Sequence, residues 1–495
     1  MSEVDDRSVA EDGQSEKSSE KESPLGEVIK LLKQGGELFH TPEREPLLRF
    51  SVNGHLETLR IGDADFRDWF ARLYYCQTNK IPPESAIREA TSALAGTAKF
   101  SSPSRQTFVR IGEHDGSIYL DLANEAWEAV KISSEGWEVV SDPPIRFRRA
   151  RGMQALPRPS QGGSIDQLRP LLNISNDDQW VLVVSWLVAA LRPTGPYPIL
   201  VLEGSHGSSK SSMSKLLRQL IDPNVAPSRF APQNPRDLMI SSRNAWCQTF
   251  DNLSGVPAWL SDALCRLATG GGFSTRTLYS DDAETLIDAT RPILVNGIDV
   301  NISRGDLLDR AIMLSLPTIA DAHRLTEAEF WRQFESILPE VLGSLLTAVS
   351  VALRRLPELV LSKLPRMADF AKWATAAESG FGWAEGTVLG AYGRNRHASN
   401  SMALEASPLV PLVERLVDRG SWTGTAAELL GELSGLILCN EMSAREWPSG
   451  PRALSSCLRR LAPNLRDAGI EIRFGQTSGS RSQKTIFLSR LRAGQ

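Results

Sequence analysis

At 495 residues, with 41% hydrophobic side chains and a net charge of −4, the chain has material for two to four domains with sizeable cores and carries no global nucleic-acid signature. Its five cysteines are odd in number and none has C-x-x-C spacing, which speaks against a zinc ribbon or a disulfide framework and for a reducing cytosol. The longest apolar run, Trp180 to Leu191, is about half of the ~20 residues that a membrane helix needs, so no membrane partner is expected.

Residues 1–23 carry eight acidic and three basic side chains and few apolar ones, the composition of a disordered tail without a cleavable signal. Location in the cytoplasm is therefore expected. Residues 24–150 read as an α+β domain. Phe50 to Ile61 is a hairpin pattern turning at Asn53-Gly54, and helices begin near Asp65 and Pro83. Residues 151–163, with Pro157 and Pro159, read as a linker. Residues 164–320 then alternate short apolar strands with helices, each strand ending in polar residues. That pattern gives an α/β domain with ligands at the carboxyl ends of its strands. Helical periodicity over 321–393 suggests a lid, and 394–407 a second linker. Residues 408–495 give helices followed by a basic two-stranded ribbon, as in a winged helix. From Arg445 to Arg492 there are ten basic residues and three acidic ones, so this end of the chain suits phosphates.

The chemistry centres on Gly204-Ser-His-Gly-Ser-Ser-Lys210-Ser211, between an apolar strand (Ile199 to Leu202) and a helix starting near Lys210. This is a P-loop pattern with Ser209 where a glycine is usual. In such a loop the backbone N–H groups from Gly204 to Ser212, those of Ser205, His206 and Ser208 included, wrap a β-phosphate at the positive end of the helix. Lys210 supplies charge for the β/γ-phosphates, and Ser211 a hydroxyl for Mg²⁺. An ordinary Ser/Gly-rich turn is the alternative. Asp251, forty-one residues after Lys210, ends the next apolar strand and can hold Mg²⁺ opposite Ser211. Many such sites follow this Asp with a Glu base. Here Asn252 follows, which can orient a water but cannot take its proton. Asp251-Asn252 could also simply open a turn. Asn296 ends the third strand and suits a sensor of the γ-phosphate, or a cap before Gly297. Arg310, abutting the fourth strand, is the candidate arginine finger for a neighbouring subunit. Arg304 stays open, and a surface salt bridge is the commoner fate of such a residue.

Taken in order, the P-loop, Asp251-Asn252, Leu264-Cys-Arg-Leu-Ala-Thr-Gly-Gly-Gly, Arg276-Thr-Leu-Tyr279-Ser-Asp, Arg291-Pro-Ile-Leu-Val-Asn296 and Asp309-Arg310 resemble the ATPase core of phage- and plasmid-type (poxvirus-type) primase-helicases. These belong to helicase superfamily 3 within AAA+. Asp142-Pro-Pro-Ile-Arg-Phe-Arg-Arg resembles the segment preceding that core. The resemblance implies a homo-hexameric ring with ATP and Mg²⁺ at subunit interfaces and single-stranded DNA in the pore. It further implies nucleotide and metal contacts at Gly204, Gly207, Lys210, Ser211 and Asp251, a sensor at Asn296 and a finger at Arg310. Arg276 and Tyr279 fall where these helicases carry a pore hairpin.

The fold expected is thus a multidomain α/β chain: a P-loop, AAA+/superfamily 3-like ATPase core preceded by an α+β domain and followed by a helical lid and a winged-helix-like domain. Primase chemistry needs clustered carboxylates for two metals, and the only D-x-D of the N-terminal domain, Asp63-Ala-Asp65, is explained by helix capping. The N-terminal aromatics (Trp69, Phe70, Tyr74, Tyr75) could stack bases, but at helical spacing they suit a core. Arg459 and Arg460 on a helix, with Arg473, Arg481 and Lys484 on the ribbon, would form a recognition helix and wing; a solvated face or a docking domain is the alternative. The expected function is an ATP-dependent helicase or translocase acting on single-stranded or forked DNA in replication of a phage or mobile element, with other replication proteins as possible partners. A regulatory or assembly ATPase, and a DNA-binding initiator with a weak ATPase, are the rivals.

Overall fold

The computed structural model describes residues 24–52, 54–271, 273–276, 284–287, 289–298, 300, 305–405, 407–436, 447–476 and 483–491. The acidic stretch 1–23 and residues Tyr279, Arg304 and Arg481 lie outside the described residues. Residues up to Thr107 form one compact unit and Phe108–Gln495 a second. The single domain expected over 24–150 is therefore divided, because the strands after Phe108 join the larger unit's core.

In the first unit, α1 (Pro24–Gly35) precedes an antiparallel sheet of β1 (Gly36–His40), β2 (Pro46–Val52) and β3 (His55–Arg60). Val52 pairs with His55, so β2 and β3 form the hairpin expected over Phe50 to Ile61; Asn53 lies outside the described residues. Helices α2 (Ala64–Thr78) and α3 (Glu84–Phe100) complete the unit. Phe70 and Tyr74 are buried and Trp69 packs on Phe50 with ring centroids 3.8 Å apart, so these aromatics build a core. Asp63 stands at the N-cap of α2 but makes no side-chain cap bond; with Asp65 in the first turn, it favours the helix through charge.

The second unit begins with an antiparallel meander of β4 (Ile111–His114), β5 (Ser117–Asp121), β6 (Ala129–Ser133) and β7 (Gly136–Val140). Residues 151–163 are not a free linker. Leu156 is buried and donates its N–H to Leu122 O, and Ser160 does so to Pro339 O. Ser160 crosses so close to Gly343 that a Cβ there would lie 1.8 Å from its carbonyl oxygen. The apolar run became α4 (Asp177–Ala190), a helix apolar on every side and buried from Trp180 to Ala190, as such a helix in a folded core must be.

A four-stranded parallel sheet follows. It comprises β8 (Ile199–Glu203), β9 (Gln248–Phe250), β12 (Ile293–Gly297) and β13 (Ala311–Ser315), in the order β9-β12-β8-β13. Between its strands run α5 (Lys210–Ile221), α6 (Pro235–Asn244), α7 (Ala258–Thr269), the hairpin β10 (Phe273–Arg276) and β11 (Glu284–Ile287), and the short α8 (Gly305–Leu308). All four strands of this sheet end on one edge, so Gly204, Asp251 and Asn296 share that edge by topology alone.

Helices α9 (Glu327–Arg355), α10 (Ala368–Ala377) and α11 (Thr387–Glu405) do not form the expected lid. Val341, Leu345 and Val349 of α9, Phe370 and Trp373 of α10, and Val388 of α11 are buried in the same core as α4, so these helices are a wall of it. A capping box of Thr326 and Glu329 starts α9. By length and hydropathy α9 could cross a membrane, but its apolar face is spent on this core. The linker expected over 394–407 is mostly the last part of α11.

The C-terminal region places α12 (Leu409–Asp418), β14 (Trp422–Thr425), α13 (Ala426–Gly435), α14 (Pro451–Asp467), β15 (Ile470–Gln476) and β16 (Lys484–Arg490) around a hydrophobic core of their own. The strands form an antiparallel sheet in the order β14-β16-β15. Asn400 of α11 donates to Asp467 at 2.7 Å and accepts from Asn464 at 3.2 Å, which docks α14 on α11.

Candidate nucleotide site

The loop from Gly204 to Ser209 owes its shape to left-handed backbone. Gly207 has φ +77°, and Ser209, the N-cap of α5, has φ +57°. A side chain at the second position is tolerated, but it holds a conformation disfavoured for L-residues by roughly 1 kcal/mol. Gly204 is needed for a different reason: a Cβ there would lie 2.7 Å from Leu316 O. The loop is also clamped from outside. Asn173 donates to Ser208 O at 2.9 Å and to Pro317 O at 2.6 Å, and the Ser205 and Thr318 hydroxyls lie 2.7 Å apart. Ser208 is fully buried and donates to Ser205 O.

Lys210 folds back over this loop. Its Nζ donates to Gly204 O at 2.7 Å, to Ser205 O at 2.8 Å and to Ser208 Oγ at 3.2 Å. Burial lowers the ammonium below the usual lysine value, while Asp251 pulls it back up. The next residue, Ser211, donates its hydroxyl to Asp251 Oδ1 at 2.9 Å. These two oxygens come from elements forty residues apart, and they are the donor set that a hard divalent cation takes.

Asn252 has φ +57°, a conformation that asparagine tolerates better than most residues, and this gives a backbone reason for its standing beside Asp251. Its N–H donates to Asn296 Oδ1 at 3.1 Å. Asn296 is buried, and its amide donates to Ser214 Oγ at 2.7 Å. The side chain expected as a sensor therefore joins α5, β12 and the turn after β9. Asp222 makes a similar tie at the far end of α5. It accepts from the N–H groups of Trp246 and Cys247, which lead into β9, and from Arg110 Nε at 3.1 Å. The Cys247 thiol is pushed up to about 12, chiefly by burial.

A cavity of about 440 Å³ opens over these groups, lined by residues 206–212, Asp251, Asn252 and Asn296, with Phe230 and Ile298 on its rim. His206 and Ser212 are among the lining residues. The two apolar rim residues escaped the sequence reading. Phe230 is 85% exposed and follows Arg229, whose carbonyl accepts from Asp251 N–H. That pairing had no sequence signal. Arg310 is elsewhere. Its carbonyl accepts from Ile199 N–H at the amino edge of the sheet, one strand length (roughly 15 Å) from the loop. Its guanidinium donates to Asp306 O at 2.6 Å.

The expected DNA contacts do not converge on one site. Arg276 lies on the β10 hairpin, where only the backbone is described; Tyr279 and Arg481 are outside the described residues. Arg459 is exposed but lies over the Phe474 ring at 4.0 Å, and Arg473 over Phe487 at 4.7 Å while paired with Glu471. Arg460 and Lys484 are exposed.

Comparison with known families makes the chain a mobile-element replication protein. More particularly, residues 165–393 match the family described as actinomycete integrative conjugative element replication protein. Residues 406–494 match the AICE RepA C-terminal domain. The break between these matches falls at the end of α11, where the second linker was expected. No curated protein matches the chain in sequence. Solved structures similar to it include the A-form apo NrS-1 C-terminal region, at 11% identity and TM-score 0.42, covering 94% of this chain and 100% of that one. Another apo structure of the NrS-1 C-terminal region (305–718) gives 12% identity and TM-score 0.38, covering 96% and 100%.

Proposed function

We propose that the chain is an ATP-dependent DNA helicase or translocase of superfamily 3 type, working as a hexameric ring in replication of its mobile element. The observation that carries this reading is the 2.9 Å approach of Ser211 Oγ to Asp251 Oδ1 beside Lys210, at the mouth of a loop closed by left-handed residues. Phosphates of ATP would take the loop N–H groups and Lys210. Mg²⁺ fits Ser211 and Asp251, two hard oxygen donors already together, and when bound it neutralises charge on the phosphate oxygens. Asn252 and Asn296 stand where an attacking water would be oriented. Arg310, on the opposite edge of the sheet, can serve only a neighbouring subunit's nucleotide. Single-stranded DNA would meet the Arg276 hairpin, with the basic face of α14 and β15 as a second contact.

The test is ATP hydrolysis with Mg²⁺, with and without single-stranded DNA, alongside mass in solution with ATP. Hydrolysis accelerated by DNA, lost in Lys210→Ala, and a mass near six chains are expected. Slow turnover indifferent to DNA would replace this reading with a regulatory ATPase switch. One observation favours that rival: Asn252 holds a left-handed position with its N–H bonded to Asn296, and no carboxylate stands there to take a proton.

A further inference from the structure

We infer that Arg324, a residue outside every motif, is a second phosphate-binding cation of the loop; the inference rests on the nucleotide reading above. A Cβ built on Gly207 would lie 3.2 Å from Arg324 Nη2, so the guanidinium lies against the loop's left-handed turn, beside the cavity's lining residues. The segment carrying it is fastened there. Leu316 N–H donates to Glu203 O at 2.7 Å, Thr318 meets Ser205, and Ile319 N–H donates to Gly207 O at 3.2 Å. The ion pair with Asp321, at 3.2 Å, does not account for this placement: the Arg324 side chain is 53% exposed and that of Asp321 91%, and such pairs contribute little. An exchange of that carboxylate for a phosphate oxygen keeps the arginine's fork satisfied. The glycine is required for its dihedral angle of +77°, while the guanidinium, the end of a half-exposed side chain, can yield the little space a Cβ would need.

The test is calorimetric binding of ATP and of inorganic tripolyphosphate, each with Mg²⁺, to the full chain and to Arg324→Ala, Arg324→Lys and Asp321→Asn. Arg324→Ala should weaken both ligands by about tenfold, and Arg324→Lys should restore part of the loss. Asp321→Asn should bind at least as well as the parent chain. Equal binding by Arg324→Ala and the parent would overturn the inference and leave the site reading standing. A loss confined to ATP would also overturn it, since that places the arginine on the base or ribose. If the parent binds neither ligand, or Lys210→Ala binds as the parent does, the site reading itself falls.

Discussion

The cavity over Lys210 and the basic face of the C-terminal region were both expected to bind phosphates, and the structure treats them differently. In the cavity, Ser211 meets Asp251, and Asn296 meets the Asn252 N–H and the buried Ser214, each within hydrogen-bond reach although they come from separate elements. On the basic face, Arg459 and Arg473 lie over phenylalanine rings, with centroid distances of 4.0 and 4.7 Å. Convergence on buried partners makes the cavity the better candidate for a site than the charged surface. The same number of candidate residues can make either.

The comparison can be broken or sharpened by substitution. Asp251→Asn should lower ATP turnover about a hundredfold or more, while thermal unfolding stays near that of the parent chain. Loss of folding instead would make Asp251 a structural residue. Asp222→Ala removes the carboxylate paired with the buried Arg110, which keeps its bonds to three carbonyls, and frees two buried N–H groups; a loss of ~3–5 kcal/mol is expected in denaturant unfolding. An effect under about 1 kcal/mol would show that the tie between α5 and β9 is dispensable. Asn296→Ala leaves the Ser214 hydroxyl and Asn252 N–H without partners, a loss of ~1–3 kcal/mol with turnover falling as well. Ser209→Gly relieves the left-handed serine and should raise stability by roughly 1 kcal/mol without harming nucleotide binding. The smallest effect is expected on the basic face. Arg459→Ala should reduce the salt dependence of DNA binding by about one unit of slope, leaving DNA-free ATPase unchanged.

Most of the cavity was legible because its parts are local: a glycine-bearing turn before a helix, and polar residues at the ends of apolar strands. The pairing of β2 with β3 was legible for the same reason. Contacts closed by tertiary packing were not. Phe230 reaches the rim because Arg229 pairs beside Phe250, and Arg324 reaches the loop because residues after β13 run back along it. Helical periodicity over 321–393 gives helices but not their place, a wall of the core rather than a lid, because period shows which face is apolar and not what covers it. Residues 151–163 looked like a linker by composition. Proline and glycine mark irregular backbone, and this segment is irregular while remaining buried at Leu156.

Lys210 bears on kinetics as well as affinity. On the nucleotide reading, its three hydrogen bonds to its own loop make it a resident competitor: an incoming triphosphate would have to win the ammonium from two carbonyls and a hydroxyl. Part of the intrinsic attraction is spent on that exchange, so capture should be slower and more selective than a free lysine would allow. A weakly charged anion has little with which to displace the lysine; a triphosphate has more. On that reading the resting loop would screen its ligands before any of them reached Asp251.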